Sequence, residues 1–273
     1  MADIIGTGGN DTLLGTNSAD TIKGLAGNDS ITAKEGDDTL TGGGSKDTFV
    51  YNLNDGTDTI TDFGGIGKGT NPTAAAIAEV DTLKFQGAGL TARNLQLMQN
   101  GSNLEIAFSP YQIFFNEPNS TQVILQNFAL ENLDNLRKST GATVDLGNIL
   151  FDGQTSISDS FDVFNANSTQ STIFKKNTVT FLNDLDNNVS GFDNSDDVIN
   201  GQGGDDIIDG KSGNDLLRGG TGNDTLIGGV GNDTLFAGAG NKILGSIHDN
   251  NLNADYKYFE GDNNLLSGGD GND

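Results

Sequence analysis

Aspartate recurs at a nine-residue step in two stretches of this 273-residue chain. The first stretch has Asp11, Asp20, Asp29, Asp38 and Asp47, and the second has Asp197, Asp206, Asp215, Asp224 and Asp233. A glycine lies two positions before most of them, including Gly9, Gly27, Gly204, Gly213, Gly222 and Gly231. Carboxylates beside glycine-rich turns offer the hard oxygen ligands that Ca²⁺ prefers. The spacing therefore predicts a row of calcium sites, with these aspartates and glycines at the metal.

The elements that must position these ligands can be read from one unit, residues 219–227. Its first six residues are rich in glycine, which adopts positive φ without steric cost and so permits a tight turn. Its last three, Thr225-Leu226-Ile227, favour a strand with the middle residue facing inward. Two units make a coil of eighteen residues, so turns eighteen residues apart stack on one edge. The predicted edges are Asp11, Asp29 and Asp47; Asp20 and Asp38; Asp197, Asp215 and Asp233; and Asp206 and Asp224.

Several turns depart from the pattern. Residues 16–19 and 33–35 replace the usual turn residues before Asp20 and Asp38, so we expect these two sites to bind weakly or to act as spacers. Residues 48–63 leave the nine-residue step but keep alternating apolar residues, as expected of a cap on an open solenoid end. Asp58 and Asp62 lie in this cap, and a role as last ligands is about as well supported as a role in turns.

The chain divides into four predicted regions: a β-roll at 1–50, a β-rich cap at 51–150, a connector at 151–190 and a second β-roll at 191–273. The fold class is all-β, with two parallel β-roll blocks flanking a mostly-β cap domain. Within the cap, the pattern predicts a flexible insertion at 64–78 and an amphipathic helix over 130–138. Further strands are predicted at 82–85, 95–98, 104–108, 112–115, 122–128 and, in the connector, 178–182.

The second roll is interrupted near its end. Lys242 stands where an aspartate belongs, and residues 246–260 leave the pattern. The sequence then stops in mid-repeat at Asp273, so we expect a truncated product or one part of a longer protein.

The formal net charge of −24 bears on partners. It argues against nucleic acid and anionic membranes, which both attract basic surfaces. Residues 191–273 carry 15 acidic and 4 basic residues around a thin apolar core, so we expect calcium to drive their folding. No N-terminal signal peptide of the Sec type is present, and no run reaches the ~18 apolar residues of a membrane span, so no membrane insertion is expected.

The register reads G-G-x-G-x-D-x-U-x, which resembles the RTX, or haemolysin-type, calcium-binding repeat. Residues 79–130 are similar, more weakly, to the β-rich domain that accompanies such repeats. The matching runs are Asp-Thr-Leu-Lys-Phe at 81–85, Gly-Ser-Asn-Leu-Glu-Ile at 101–106 and Val-Ile-Leu-Gln-Asn-Phe at 123–128. The resemblance implies a bacterial, extracellular protein that binds several Ca²⁺ ions. It also implies export by type I secretion machinery and folding in millimolar external calcium.

The sequence offers little for catalysis. It has no His-Glu-x-x-His and no Gly-x-Ser-x-Gly, and its single histidine, His248, lies near Ser246 and Asp249 in an irregular segment. Calcium explains the acidic pairs better than a glycosidase does. We therefore predict no enzyme activity. The alternative is an adhesive or enzyme-associated module whose middle domain binds a polysaccharide or cell surface. An ice-binding face is less favoured, because it would require regular rows of threonine and only a few threonines lie beside the aspartates.

Overall fold

The computed structural model describes residues 1–108, 121–236, 238–240, 243–245 and 265–267. The chain forms two compact units, Met1–Ser160 and Phe161–Asp273. The fold is all-β and its repeats form parallel β-rolls, as predicted. Among the described residues, no helix is long and apolar enough to cross a membrane. Whether the four predicted regions are separate domains stays a prediction.

The first unit coils between two sheets. Its strands are β1 (Asp3–Ile5), β2 (Thr12–Leu14), β3 (Thr21–Ala26), β4 (Ser30–Thr32), β5 (Thr39–Gly44), β6 (Thr48–Asn52), β7 (Asp58–Ile60), β8 (Thr82–Gln86), β9 (Leu95–Asn100), β10 (Asn103–Phe108), β11 (Thr121–Leu125), β12 (Asn135–Leu136), β13 (Leu146–Gly147) and β14 (Ile149–Leu150). One sheet has the order β1-β3-β5-β7-β11-β10-β9 and the other β14-β8-β6-β4-β2, while β12 pairs with β13. The parallel register sets Thr12 beside Ser30 and Ser30 beside Thr48, which is the predicted coil length.

The β-rich region grows directly on the two sheets of the first roll. Strand β8 pairs in parallel with β6, and β11 pairs in parallel with β7. Strands β9 and β10 then add in antiparallel order. The predicted strands at 82–85, 95–98, 104–108 and 122–128 are thus confirmed within one or a few residues, and that at 112–115 lies outside the described residues.

Two local predictions in this region are wrong. Residues 130–138 do not form an amphipathic helix: a 3-10 helix covers Leu130–Asn132, β12 follows, and a second 3-10 helix covers Lys138–Thr140. The three-residue leucine spacing suits a 3-10 turn, in which side chains at i and i+3 eclipse. The insertion at 64–78 contains the start of helix α1 (Ala74–Glu79), because Thr73 caps an alanine run by accepting the Ala76 N–H.

The second unit is a β-roll of three-residue strands. They are β15 (Phe161–Val163), β16 (Val179–Phe181), β17 (Asn188–Ser190), β18 (Val198–Asn200), β19 (Ile207–Asp209), β20 (Leu216–Arg218), β21 (Thr225–Ile227), β22 (Thr234–Phe236), β23 (Ile243–Gly245) and β24 (Leu265–Ser267). The sheets run β15-β16-β18-β20-β22 and β17-β19-β21-β23-β24, all in parallel. The segment predicted as a connector therefore supplies β15, β16 and β17, of which only β16 was expected.

The core of the second unit is one apolar column between its sheets. The residue two positions after each aspartate points into it, as the alternation predicts. The column consists of Phe164, Ile173, Leu182, Val189, Ile199, Ile208, Leu217, Leu226 and Leu235. Phe161, Phe181, Val198 and Leu216 of the β15–β22 sheet are buried beside this column as well.

Candidate metal sites

The repeat aspartates form hydrogen-bonded ladders along the predicted edges. Except at Asp11, in the first coil, the Oδ1 atom accepts the backbone N–H of the residue about one coil earlier. The N–H of Asp29 donates to Asp47 Oδ1 at 2.8 Å, and the N–H of Asp197 donates to Asp215 Oδ1 at 2.8 Å. The same bond links Asp11 to Asp29, Asp20 to Asp38, Asp206 to Asp224 and Asp215 to Asp233. Stacked turns thus hold the carboxylates in register, with one oxygen of each committed to backbone.

The second carboxylate oxygen differs between sites. The Oδ2 atoms of Asp29, Asp47 and Asp215 are buried and have no hydrogen-bond partner among the described residues. Burial raises the pKa of Asp47 to about 6 and that of Asp215 to about 7. A buried carboxylate oxygen is costly unless a proton, a donor or a cation compensates it. These three sites therefore call for a positive partner.

Each of these oxygens lies beside the first glycine of its turn. A Cβ atom placed on Gly24 would fall within 3.0 Å of both Asp29 Oδ2 and the carbonyl oxygen of Gly42. A Cβ on Gly210 would likewise meet Asp215 Oδ2 and the carbonyl of Gly228. A carboxylate and a backbone carbonyl thus converge on a space that only glycine leaves open.

The donors at this space fit calcium. They are carboxylate and carbonyl oxygens, without nitrogen or sulfur, which suits a hard cation and not a thiophilic metal. Among the residues that the structure covers, no three His, Cys, Asp or Glu side chains gather at one point. An ion in these turns would therefore draw on backbone carbonyls as much as on carboxylates.

The glycines two positions before the aspartates shape the turns. Gly27, Gly204, Gly213, Gly222 and Gly231 all have positive φ, which disfavours other residues. A Cβ on any of them would also collide with the backbone of the preceding coil. Gly9, in the first coil, lacks positive φ and has open space at its Cα. The other five predicted glycines thus permit close stacking of the coils, and Gly9 is not required for it.

Some turns satisfy their own carboxylate. Asp11 Oδ2 accepts the N–H of Thr7 at 2.6 Å, and Asp20 Oδ2 accepts the N–H of Thr16 at 2.7 Å. The Thr16 N–H is the main reason that the pKa of Asp20 is lowered. Asp197 Oδ2 accepts an N–H in the same way, from Phe192 at 3.0 Å.

The turn before Asp38 differs again. Its first residue is Ala33, whose methyl group stands where other turns leave the open space. The Oδ2 atom of Asp38 is also buried without a hydrogen-bond partner among the described residues, and burial raises the pKa of Asp38. Weak binding at Asp20 and Asp38 stays a prediction.

Three aspartates at the end of the first roll, Asp58, Asp62 and Asp81, lie outside the nine-residue step and have different contacts. Asp58 continues a ladder, since its Oδ1 accepts the Asp38 N–H at 3.2 Å, and burial raises its pKa to about 8. Asp62 accepts the N–H groups of Gly42 and Gly43, at 3.0 and 2.8 Å, and so caps the last turn. This contact favours the turn role for Asp62 over the ligand role.

Sequence reasoning missed Asp81 as the third of these. Its Oδ1 accepts the Asp47 N–H at 2.7 Å, although 34 residues separate the two. Its Oδ2 accepts the Gly64 N–H at 2.7 Å. The available signal was Asp81-Thr82-Leu83, which repeats the D-x-U pattern of the ladder outside the nine-residue step.

A second, exposed ladder runs beside the first and was also missed. It uses the residue just before each aspartate. Asn28 Oδ1 accepts the Lys46 N–H at 3.1 Å, and Asn214 Oδ1 accepts the Asn232 N–H at 3.0 Å. The recurring Asn-Asp and Asp-Asp pairs of the repeats were the signal for it. This ladder fixes the stacking register from the solvent side.

Parallel rolls whose stacked turns present inward oxygens define a calcium-binding repeat protein. The RTX calcium-binding nonapeptide repeat matches the chain in four copies, at residues 5–40, 24–60, 193–217 and 209–241. These residues therefore form RTX-type calcium-binding repeats. No curated protein matches the sequence. The weaker resemblance of residues 79–130 to an RTX-associated domain stays a prediction.

Proposed function

We propose that the protein binds several Ca²⁺ ions in its repeat turns and that these ions complete the folding of its β-rolls. The observation that supports this proposal is the buried, unpartnered Oδ2 of Asp29, Asp47 and Asp215, which at Asp29 and Asp215 lies beside a backbone carbonyl in a glycine-lined space. The proposed carboxylate ligands are Asp29, Asp47, Asp206, Asp215, Asp224 and Asp233. The glycine carbonyls supply further oxygens.

Charge gives the reason for coupling to folding. Aspartates of one edge are one strand spacing apart, about 4.8 Å, so unscreened carboxylates repel along the whole stack. A divalent ion turns that repulsion into attraction, and its binding free energy becomes folding free energy. We propose calcium over magnesium because carbonyl-rich turns of irregular shape suit its flexible coordination.

We further propose that the protein is bacterial and acts outside the cell, after export by a type I system, as the RTX resemblance implies. Extracellular calcium modules have dissociation constants of about 10⁻⁴–10⁻³ M, so the second roll would stay unfolded inside the cell. We propose no catalytic role, because the ladders and calcium account for the repeat aspartates. His248, Ser246 and Asp249 lie outside the described residues.

The test is far-UV circular dichroism of the chelator-treated full chain, titrated with calcium and separately with magnesium. We expect β-structure to form with calcium in the millimolar range and far less with magnesium. An unchanged spectrum, together with no bound ion by calorimetry, would refute calcium-coupled folding.

A second candidate function is binding of a polysaccharide or cell surface. It is supported by a cavity of about 490 Å³ lined by polar residues 169–172, 186–188 and Ser190. Its hydroxyl, amide and carboxylate groups suit the hydroxyls of a sugar. The sequence had favoured the middle domain for this role. A glycan array probed with calcium-saturated protein tests this function. We expect Gln170→Ala to weaken any specific signal. If the protein binds no glycan on the array, this candidate function is refuted.

A further inference from the structure

The proposed calcium function leaves open which turns take an ion. We infer that the peptide group between the first and second residues of each turn decides this: one orientation closes the turn to calcium, and the flipped orientation opens it. The inference rests on the calcium function and concerns residues that the repeat pattern leaves variable.

In the closed orientation the second residue turns its N–H toward the carboxylate. Thr7, Thr16 and Phe192 donate to the Oδ2 of the aspartate in their own turn, at 2.6, 2.7 and 3.0 Å. None of the three has positive φ. The carboxylates of Asp20 and Asp197 then have hydrogen bonds at both oxygens, and that of Asp11 has them at Oδ2, so the oxygen that faces the turn needs no cation.

In the open orientation the second residue has positive φ and its N–H points elsewhere. Lys211, at φ 74°, donates its N–H to Asp209 Oδ1 at 3.0 Å, while Oδ2 of Asp215 is left without a partner among the described residues. Gly43, at φ 103°, donates to Asp62 and leaves Asp47 Oδ2 in the same state. Type I and type II turns differ by the same reversal of one peptide plane.

Side chains that disfavour positive φ adopt it here. Leu25, Lys34, Gln202 and Lys211 all have φ between 73° and 85°. Such residues cost free energy in this region of the backbone, so their turns hold the open orientation against local preference. The buried Oδ2 of Asp29, in the turn of Leu25, is the group that a cation would compensate.

The sign of φ at the second residue divides the turns into a closed group and an open group. Closed turns hold Asp11, Asp20 and Asp197, which begin the nine-residue run in each block. Open turns with a leading glycine hold Asp29, Asp47, Asp206, Asp215, Asp224 and Asp233. Each block thus starts on turns that need no ion, which supply a preformed edge for the calcium-dependent coils to stack on.

The main test compares Lys211→Val with Lys211→Asn in the full chain. Both substitutions remove the charge of Lys211 and its ion pair with Asp209. Valine disfavours positive φ, whereas asparagine tolerates it. We expect the Val variant to bind one ion fewer per chain, or that ion about tenfold more weakly, and the Asn variant to match wild type. Equilibrium dialysis with calcium gives the stoichiometry, and circular dichroism checks folding.

The converse pair is Thr16→Gly and Thr16→Val, which guards against a Lys211→Val chain that does not fold. Glycine permits the flip, so the Gly variant should gain one weak ion. Valine keeps the N–H bond to Asp20 and should gain none. If wild type binds no calcium, the proposed function itself fails. If wild type binds calcium but the two variants at position 211 bind the same number of ions, and so do the two variants at position 16, only the peptide-orientation inference is overturned.

Discussion

The two units carry the same carboxylate ladders but differ in what else holds them together. The first unit adds an aromatic core, with Phe85 and Phe108 at 4.7 Å and Phe63 and Phe128 at 5.5 Å between ring centroids. The second has an apolar column and separate aromatic contacts, such as Phe161 and Phe181 at 6.4 Å, but its described strands pair only in parallel. Antiparallel strands packed on an aromatic cluster stabilise a fold without ions. Under the proposed function, we therefore expect the repeat to act as a scaffold in the first unit and as a calcium switch in the second.

The carboxylate ladders also differ between the two units. In the first unit they are interrupted or capped, by the Thr16 N–H, the Ala33 methyl group and the contacts of Asp62 and Asp81. In the second unit four open turns follow one another, at Asp206, Asp215, Asp224 and Asp233. Carboxylates stacked in this way repel one another and raise the free energy of the folded state without calcium.

The largest expected effect comes from removing calcium. We predict that chelation raises amide hydrogen exchange at residues 198–236 by orders of magnitude, because their coils lose the ions that balance the ladders. Residues 82–108 and 121–136 should keep most of their protection. Exchange read by mass spectrometry on the full chain resolves both regions at once. Equal loss of protection in the two regions would contradict the proposed difference between the two units. The control is the same experiment with magnesium in place of calcium.

The next largest expected effect is on the calcium concentration for half-folding, compared between the variants Asp215→Asn and Asp20→Asn. Asparagine keeps an Oδ1 acceptor for the ladder but replaces the anionic Oδ2 with an NH₂ group. In the second unit this should raise the calcium concentration for half-folding about tenfold or more, since a charged ligand is lost. At Asp20 the substitution removes the acceptor of the Thr16 N–H, which should lower stability with and without calcium, but no charged ligand is lost and the shift in the calcium midpoint should stay under about twofold. Calcium titrations followed by circular dichroism measure both, and equal shifts would contradict the assignment.

Ala33→Gly should make the first unit more like the second. Removing the methyl group opens the space beside Asp38, so we expect one additional bound ion by equilibrium dialysis. Without calcium the variant should be less stable by about 0.5–1 kcal/mol, from glycine's backbone entropy. Ala33→Ser keeps a Cβ and serves as the control. A Gly variant with wild-type stoichiometry would show that the methyl group does not limit this site.

The smallest effect concerns pH in the absence of calcium. Burial raises the pKa of Asp58 and Asp81 to about 8 and that of Asp215 to about 7. The folded chain then holds more protons than the unfolded chain between about pH 4 and pH 8, so stability falls as pH rises through that window. Urea midpoints in chelator should be higher at pH 5 than at pH 8. A midpoint that rises with pH would contradict this sign.

The nine-residue step was enough to predict the all-β class, the coil length and the grouping of aspartates by edge. These follow from local rules, because stacking eighteen residues apart repeats every contact. Asp81 was missed because an insertion separates it from Asp47 by 34 residues, and only the closed coil returns it to the ladder. The helix predicted at 130–138 failed because its leucines are buried in irregular backbone where a 3-10 turn and a short strand meet.

The sequence by itself determined where carboxylates and glycines can stack, since spacing fixes which turns share an edge. The tertiary structure alone decided which carboxylate oxygens remain without a donor. That outcome depends on the direction of a single peptide N–H, toward Asp20 from Thr16 and away from Asp215 at Lys211. Both directions are open to an isolated turn, and the hydrogen bonds of neighbouring coils select between them.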